Sequence, residues 1–591
     1  MNRVLDWSAR HWRLVVLLFW LAIAAYMLWS RWRGITVFQL SDTDDNMRMS
    51  QVRALLAGQD WFDLRQHKLD PPAGANIHWS RIVDLPLAAL ITAAKLFVSG
   101  PNAERFAIAV APLLPLLLAV GAIALIVRRL VDKAAYPLAL VALFFAGSAN
   151  GMFMPTRIDH HGWQLAVLAI AASGLADRRT ARGGVVTGLA TAVSLSIGLE
   201  MLIYLALAGA AQVLMWVDDR DQRSRLFGYS ASLAGGTAVG FLLFASYANR
   251  LAVCDALSPV WLSDAVLGGA LLLALAWWSP ADWRVRLGAA AVAGLAVAAF
   301  HVLAWPHCLS RLEGVSPEVE RLWLSNVREA KPITGHSLQI GIAVATLPAV
   351  ALIGWALLLW RSAGQDRDRL RRTLAVAGIA TTAFALLFWQ TRAGPAAQLL
   401  GTIGAAALVW LLVPLFWRSK NSLVSVLGTT AAVLVGLGVG APLAARMIKS
   451  KAPTEREQAI ARANSLCPSL AALRPVAQLP KGTIFTFVDL APRVITVSHH
   501  NSIAGPYHRN GPAIADTMKA FRGSADEARA IIIRRKADYL MICPMMSQAT
   551  VFMAARPKGF YAQLARGQVP SWLQPIPLPA DNPLKIWRVA P

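Results

Sequence analysis

Charge is what this sequence has least of. Asp, Glu, Lys and Arg make up 15% of its 591 residues, against 56% hydrophobic, and the mean hydropathy is +0.49. A soluble chain of this size needs far more polar surface, so a soluble protein is excluded. Acid is scarcer than base, 33 residues against 57, for a net charge of +24. The excess base does not form a nucleic-acid patch. It gathers in short clusters between apolar runs, at Arg128 and Arg129, Arg178 to Arg182, Arg220 to Arg225, Arg367 to Arg372, and Arg418 with Lys420. That is the signature of cytoplasmic loops, and no nucleic-acid partner is expected. Cysteine occurs four times and never as CxxC, which argues against zinc and dithiol redox chemistry. The four fall into two pairs, Cys254 with Cys308 and Cys467 with Cys543, read as two disulfides in a compartment where such bonds persist, with free thiols the alternative. No small-residue cleavage site follows Trp29, so the first helix is read as uncleaved. Internal repeats and low-complexity tracts are missing too.

What the sequence has in abundance is apolar runs of about 18 residues or more, each able to cross a hydrocarbon core roughly 30 Å thick. Lipid cannot satisfy backbone polar groups, so these runs are helices. The first spans 13–29. The run at 83–99 is laid against the outer surface, because a crossing there would carry Arg128 and Arg129 outside. The remaining runs then alternate: 104–128, 135–150, a returning helix after RIDHHGW (157–163), two short helices within 184–216, two further pairs, a helix ending at QTRAGP (390–395), its return, and 422–446. The expected fold is a polytopic α-helical membrane protein with about thirteen crossings. The membrane domain covers 1–447, with outer loops 30–103, 149–161, 248–263 and 305–338. Residues 448–591 read as a small extracytoplasmic α/β domain: IFTFVDL, VITVSHH and ADYLMIC as strands, GPAIADTMKAF and ADEARAIIIRRK as helices.

The rare acids concentrate on the outer face of this topology. SDTDDNMR places Asp42, Asp44 and Asp45 within four positions. Carboxylates that crowded need a neutralising cation, and hard divalent ions take oxygen ligands. A solvated turn with an N-capping Asp is the alternative. In the second loop Asp159 and His161 alternate, with His160 between them, as suits two side chains facing one ion. Glu329 lies between Arg328 and Lys331 in the fourth loop, where a surface salt bridge is the competing reading. Arg392 ends a helix, as an interfacial snorkelling residue or a phosphate ligand. Glu200 marks a helix tip. Arg81, with other basic residues of the first loop, is available to phosphate or to anionic headgroups. His499, His500, Tyr507 and His508 crowd SHHNSIAGPYHRN, an acceptor-facing segment or an ordered polar loop.

The order of these pieces resembles the GT-C superfamily of membrane glycosyltransferases, in particular the oligosaccharyltransferase catalytic subunit and its archaeal and bacterial single-chain counterparts. DTDDNMR is similar to the first-loop motif, IDHHGWQ to the archaeal form of the second, NVREAKP to the fifth-loop motif, and QTRAGPAAQLL to the arginine-bearing eleventh helix. The resemblance implies thirteen helices and an extracytoplasmic tail domain. It implies a divalent metal (magnesium or manganese) held by Asp42, Asp159 and His161, and Glu329 beside metal and acceptor. Arg392 would bind the donor phosphate. The tail departs from the family in having no WWDYG-like element, which sets protein N-glycosylation aside. PPAGANIHWSRIVDLPLAALITAAKLF is also similar to an outer segment of the lipid-A aminoarabinose and protein-mannosyl branches.

The expected activity is transfer of a sugar or oligosaccharide from a polyprenyl phosphate or pyrophosphate to a glycan, lipid or protein, at the outer face of a bacterial inner membrane. Asp42, Asp44 or Glu329 would orient or deprotonate the acceptor. The alternatives are a metal-independent ligase or polymerase, and a lipid or sugar transporter. A transporter would carry ionisable groups and broken helices at the membrane midplane.

Overall fold

A computed structural model describes residues 2–310, 314–447 and 452–590. Among them, eight helices are long and apolar enough to cross a membrane. They are Trp12–Thr36, Gly100–Leu130, Arg220–Phe244, Pro259–Trp278, Trp283–Ala304, Leu338–Ala363, Arg367–Phe388 and Thr391–Trp417. The other expected crossings are helical but shorter or more polar: Tyr136–Phe145, His161–Leu175, Thr180–Ile197, Leu202–Asp218 and Val424–Gly436. Two of these are interrupted. Tyr136–Phe145 breaks at Ala146 before the turn Gly147–Gly151, and Val424–Gly436 gives way at Gly438 (φ +67°) to Gly440–Met447. The segment read as lying on the surface forms Asp84–Ala94. At 1.5 Å per residue its 11 residues reach about 16 Å, half a membrane.

Small residues set the tightest helix contact. Thr180–Ile197 carries Gly184 and Gly188, and a Cβ on either would collide with the backbone of Arg225 or Tyr229 on the helix Arg223–Phe244. Such spacing lets backbones approach where lipid supplies no hydrophobic drive. The helix Gly394–Trp417 runs through the main core, its residues Leu399, Leu400 and Ile403 buried against Val120, Ile123, Val127 and Leu165.

The basic clusters meet at one end of this bundle. Asp177 receives Arg129 (3.0 Å) and Arg182 (2.7 Å). Arg225 donates to the Gly174 carbonyl (3.1 Å), Arg372 to that of Ala176 (3.0 Å), and Arg369 to those of Leu130 and Val131. These carbonyls sit at helix C-termini, where the chain leaves acceptors unpaired and the dipole favours cations. His161–Leu175 runs from the Asp159 loop directly into this cluster, so acids and bases occupy opposite ends of the bundle.

The tail forms a five-stranded sheet of order β4-β3-β5-β7-β6, where β3 is Thr483–Phe485, β4 Asn501–Ser502, β5 Tyr539–Ile542, β6 Leu573–Ile576 and β7 Lys585–Val589; β1 (Arg65–Gln66) and β2 (Ala75–Asn76) make a hairpin in the first loop. β3, β4 and β5 are parallel, and β7 is antiparallel to β5 and β6. The first loop extends this sheet: Ser502 N–H donates to Lys68 O and Asp70 N–H to Ser502 O, both at 2.8 Å. Helices Gly511–Arg522 and Ala525–Arg534 cover a core of Phe485, Phe487, Leu540, Ile514, Phe521 and Phe552. VITVSHH is a correction, because Ala491–Val497 is helical. Pro492 fits a first helical turn, and Thr496 hydrogen-bonds to Asn46 O (2.9 Å) and to Ser50 on Thr43–Leu56, so packing overrides β-branched propensity. The expected domain boundary at 447–448 abuts residues 448–451, which lie outside the described residues.

Candidate active site

The site is organised by the N-terminus of Thr43–Leu56. Asp42 caps it, its Oδ1 accepting from the backbone of Asp44 (2.9 Å) and Asp45 (3.2 Å), while Asp45 Oδ2 accepts from Asp42 N–H (3.0 Å). The capping alternative therefore holds for Asp42. Asp45 is fully buried, and its second oxygen accepts from the backbone of Ile158 (2.6 Å) and Asp159 (3.0 Å). That joins the two acidic loops 113 positions apart in sequence.

Asp44, Asp159 and His161 then converge, one ligand atom from each lying within 4.8 Å of the others. Asp159 Oδ2 and His161 Nδ1 are 3.0 Å apart and Arg157 Nη2 is 2.9 Å from the same oxygen, yet neither Oδ2 nor Nδ1 makes a well-formed hydrogen bond. Two ligands at right angles on one ion, each about 2.1 Å from it, lie about 3.0 Å apart. The donor set thus fits a divalent metal, two carboxylates and one imidazole. Burial and the adjacent Asp42 and Asp159 push the Asp44 carboxyl up to about 8. Burial also works against ionised Asp159, but His161 and Arg157 hold it well below the ordinary carboxylate range. Four carboxylates face Arg157 and His161 here, and the cluster is short of positive charge.

Glu329 is near enough for its charge to raise Asp44 further. Its Oε1 lies 3.6 Å from Arg392 Nη2, and both side chains are exposed. The pairing is imposed by backbone: Thr391 donates its N–H and hydroxyl to Lys331 O, each at 2.8 Å. Tyr507 roofs the first loop, donating to Thr43 O (2.9 Å) and meeting Trp79 edge-on (5.7 Å). His160 Nε2 pairs with Glu200 Oε1 (2.8 Å), and Gln164 donates to Glu200 Oε2 (2.8 Å).

Several expected site residues lie elsewhere. Arg81 is wholly buried and spends its guanidinium on Asp84, Asp63 O (2.7 Å) and Gln59, so it meets no phosphate. Asp42, engaged by the cap and by Arg157, stands outside the Asp44–Asp159–His161 group. His500 is buried, bridging Gly482 N–H and Val476 O, and His499 bonds Leu479 O. His508 joins Arg509 on Asp255 (2.5 Å each), next to the bridged pair Cys254–Cys308, with the His78 ring tilted against that of His508 at 4.5 Å. Cys467 and Cys543 are likewise bridged. Sequence reading missed Asp255, Arg509 and Arg157. Arg157 stood inside the quoted RIDHHGW, two residues before Asp159, and that was the available signal.

The helices and the tail sheet give a polytopic membrane protein with the fold of the GT-C membrane glycosyltransferases. Compared by sequence, the chain matches no protein-family model and no curated protein. Among solved structures it is similar to the oligosaccharyltransferase AglB of Archaeoglobus fulgidus in complex with an inhibitory peptide and a dolichol-phosphate: 15% identity, TM-score 0.68, covering 96% of this chain and 73% of that one. An Archaeoglobus fulgidus oligosaccharyltransferase tethered with an acceptor peptide gives 14% identity and TM-score 0.63, covering 91% and 69%. Its complex with Zn and sulfate gives 14% and 0.60, covering 92% and 70%.

Proposed function

We propose that this protein is a metal-dependent glycosyltransferase that takes its sugar from a polyprenyl phosphate or pyrophosphate at the outer face of a bacterial inner membrane. The observation that carries the reading is the gathering of Asp44, Asp159 and His161 with Glu329 and its partner Arg392, drawn from loops up to about 350 positions apart, at the bundle end opposite the basic clusters. The fold adds support, since the similar oligosaccharyltransferase structures include a dolichol-phosphate complex and an acceptor-peptide complex. The acidic end is then outside, the tail domain periplasmic, and the basic end cytoplasmic.

A divalent ion bound at Asp44, Asp159 and His161 would offset donor phosphate charge as the anomeric bond breaks. Arg392, exposed and on the rim, presents its guanidinium to the leaving phosphate. It must let go of Glu329 to do so, and the long 3.6 Å contact makes that inexpensive. Glu329, once released, is the exposed carboxylate available to orient the acceptor nucleophile or take its proton. Tyr507 and Trp79, both buried, pack edge-on over the first loop on the tail side. The imidazole makes manganese a better match than magnesium, which favours oxygen ligands alone.

The test is sugar transfer from a defined polyprenyl-phosphate sugar by detergent-purified protein, with Mn²⁺ and with chelator. Chelator-sensitive transfer that Asp159→Ala abolishes is expected. Chelator-resistant transfer would favour a metal-independent ligase, and sugar or lipid movement across vesicles without new glycosidic bonds would favour a transporter.

A further inference from the structure

Arg157 has no part in the chemistry just assigned, yet it occupies the middle of the site. Its Nη1 lies 2.5 Å from Asp42 Oδ2 and its Nη2 2.9 Å from Asp159 Oδ2. The Asp159 carboxylate is completely buried, and its Oδ2 makes no well-formed hydrogen bond although Arg157 and His161 both press against it. The backbone is bent to hold the guanidinium there. Thr156, just before it, sits at φ +78°, a region a β-branched residue enters only when its surroundings force it. Its N–H donates to Ile108 O (2.8 Å), its carbonyl accepts from Ser41 N–H (3.3 Å), and its hydroxyl meets that of Ser41 (3.0 Å). Asp45 fixes the other side through the N–H groups of Ile158 and Asp159.

The ligand-bearing side chains form two overlapping groups that share Asp159. One is Asp44, Asp159 and His161, and the other is Asp42, Asp45 and Asp159. Arg157 pairs with Asp42 of the second group and with the Asp159 oxygen that the two groups share. We propose that Arg157 is a tethered second cation: it stands where a second divalent ion would stand in a two-ion site, limits the protein to one ion, and keeps Asp42 out of that ion's ligand set. A guanidinium suits this role because it never gives up its charge and its fork spans two carboxylates, while offering no open coordination position. Arg157 is thereby a positioning residue. The inference rests on the metal reading above, and its test separates the two.

The test is Mn²⁺ binding by the full chain in detergent, with stoichiometry from calorimetry and coupling between ions from electron paramagnetic resonance. One ion is expected for wild type and two for Arg157→Gln, with the second lost in Arg157→Gln/Asp42→Asn. The two ions should be magnetically coupled, as ions sharing a carboxylate about 3.5–4 Å apart are. One uncoupled ion in both wild type and Arg157→Gln overturns the tethered-cation role and leaves the metal reading standing. No ion in wild type overturns the metal reading and the proposal that rests on it, whatever Arg157→Gln binds. Arg157→Lys covers the case of a glutamine variant that does not fold. Its ammonium reaches one carboxylate at a time, so it should admit a second Mn²⁺ at millimolar concentrations where wild type admits none. A lysine variant indistinguishable from wild type there also overturns the proposal.

Discussion

Replacing Asp84 with alanine would strip two buried guanidiniums of the anion they share. Asp84 opens the helix Asp84–Ala94, and its oxygens accept from Arg48 Nη1 (2.7 Å) and Arg81 Nη1 (3.1 Å). The three side chains are at most 1% exposed. Arg48 also donates to Ser80 O and lies over the Trp79 ring at 4.4 Å, and Arg81 keeps its bonds to Asp63 O and Gln59. Removing one partner of a buried pair costs about 3–5 kcal/mol, because the remaining charge stays desolvated. The bonds left to Arg81 hold the total within that range.

First loop and tail share one sheet edge, so they should unfold together as a unit of about 200 residues, for which each kcal/mol lowers Tm by about 2–4 °C. Asp84→Ala is thus expected to lower the first thermal transition of the detergent-solubilised protein by about 6–20 °C. Asp84→Asn should fall between wild type and alanine. Asp84→Leu/Arg48→Met/Arg81→Met, which removes all three charges together, should come within about 1 kcal/mol of wild type, since apolar groups of similar volume often replace a buried ionic cluster without loss. A shift below about 2 °C for Asp84→Ala would refute the reasoning. So would a triple variant less stable than Asp84→Ala, which would show that the charges themselves stabilise the loop.

Three further outcomes follow from the site and its supports. In the metal-free protein Asp44 holds its proton up to about pH 8, whereas in the unfolded chain it releases it near 4. Stability of the metal-free form should therefore fall as pH rises through that window. His161, which burial would lower but the adjacent Asp159 holds up to about 9, must give up a proton as well. Mn²⁺, which must displace both protons, should bind about a hundredfold more tightly per pH unit from 6 to 8, about tenfold more tightly from 8 to 9, and level off above; pH-dependent calorimetry reads both slope and plateau. Cys467→Ser/Cys543→Ser opens a bridge of sequence separation 76, which chain entropy values at about 4–5 kcal/mol, and chemical unfolding of the tail should register most of it. Arg392→Ala should lower kcat for transfer at least tenfold while leaving Mn²⁺ affinity unchanged, because the arginine belongs to the donor side and not to the ligand set; a parallel loss of ion binding would place it wrongly.

The membrane helices were legible because lipid leaves no choice about backbone pairing, so an apolar run can only be a helix and flanking arginines orient it. Even Thr180–Ile197, too rich in Gly, Thr and Ser to register as a span by hydropathy, was recoverable from the charge on both sides of 184–216. Arg81 shows where that logic stops. Composition says that an arginine in a polar loop is available, and only tertiary structure reveals that Asp84 and four carbonyls have consumed it. The tail strands β6 and β7 were missed for a related reason, since their residues, LQPI and KIWRV, are too short and mixed to announce a strand before a sheet edge recruits them.

The acidic site divides along the same line. Asp42, Asp159 and His161 could be nominated as ligands, with Asp44 beside them, because crowded carboxylates and an alternating Asp and His demand a cation whatever the fold. Which carboxylate would face such an ion could not be read, because Asp42 and Asp44 differ by a helix cap: the cap turns Asp42 toward its own backbone and Arg157, and Asp44, two residues further, is left near Asp159 and His161. The choice between the two is a rotation of about 200° around the helix axis, invisible in a string of letters and decisive for the chemistry. Arg157 was hidden by the opposite effect. Its importance arises from Thr156, whose left-handed backbone no sequence pattern marks, since glycine and asparagine are the residues that ordinarily advertise such a turn.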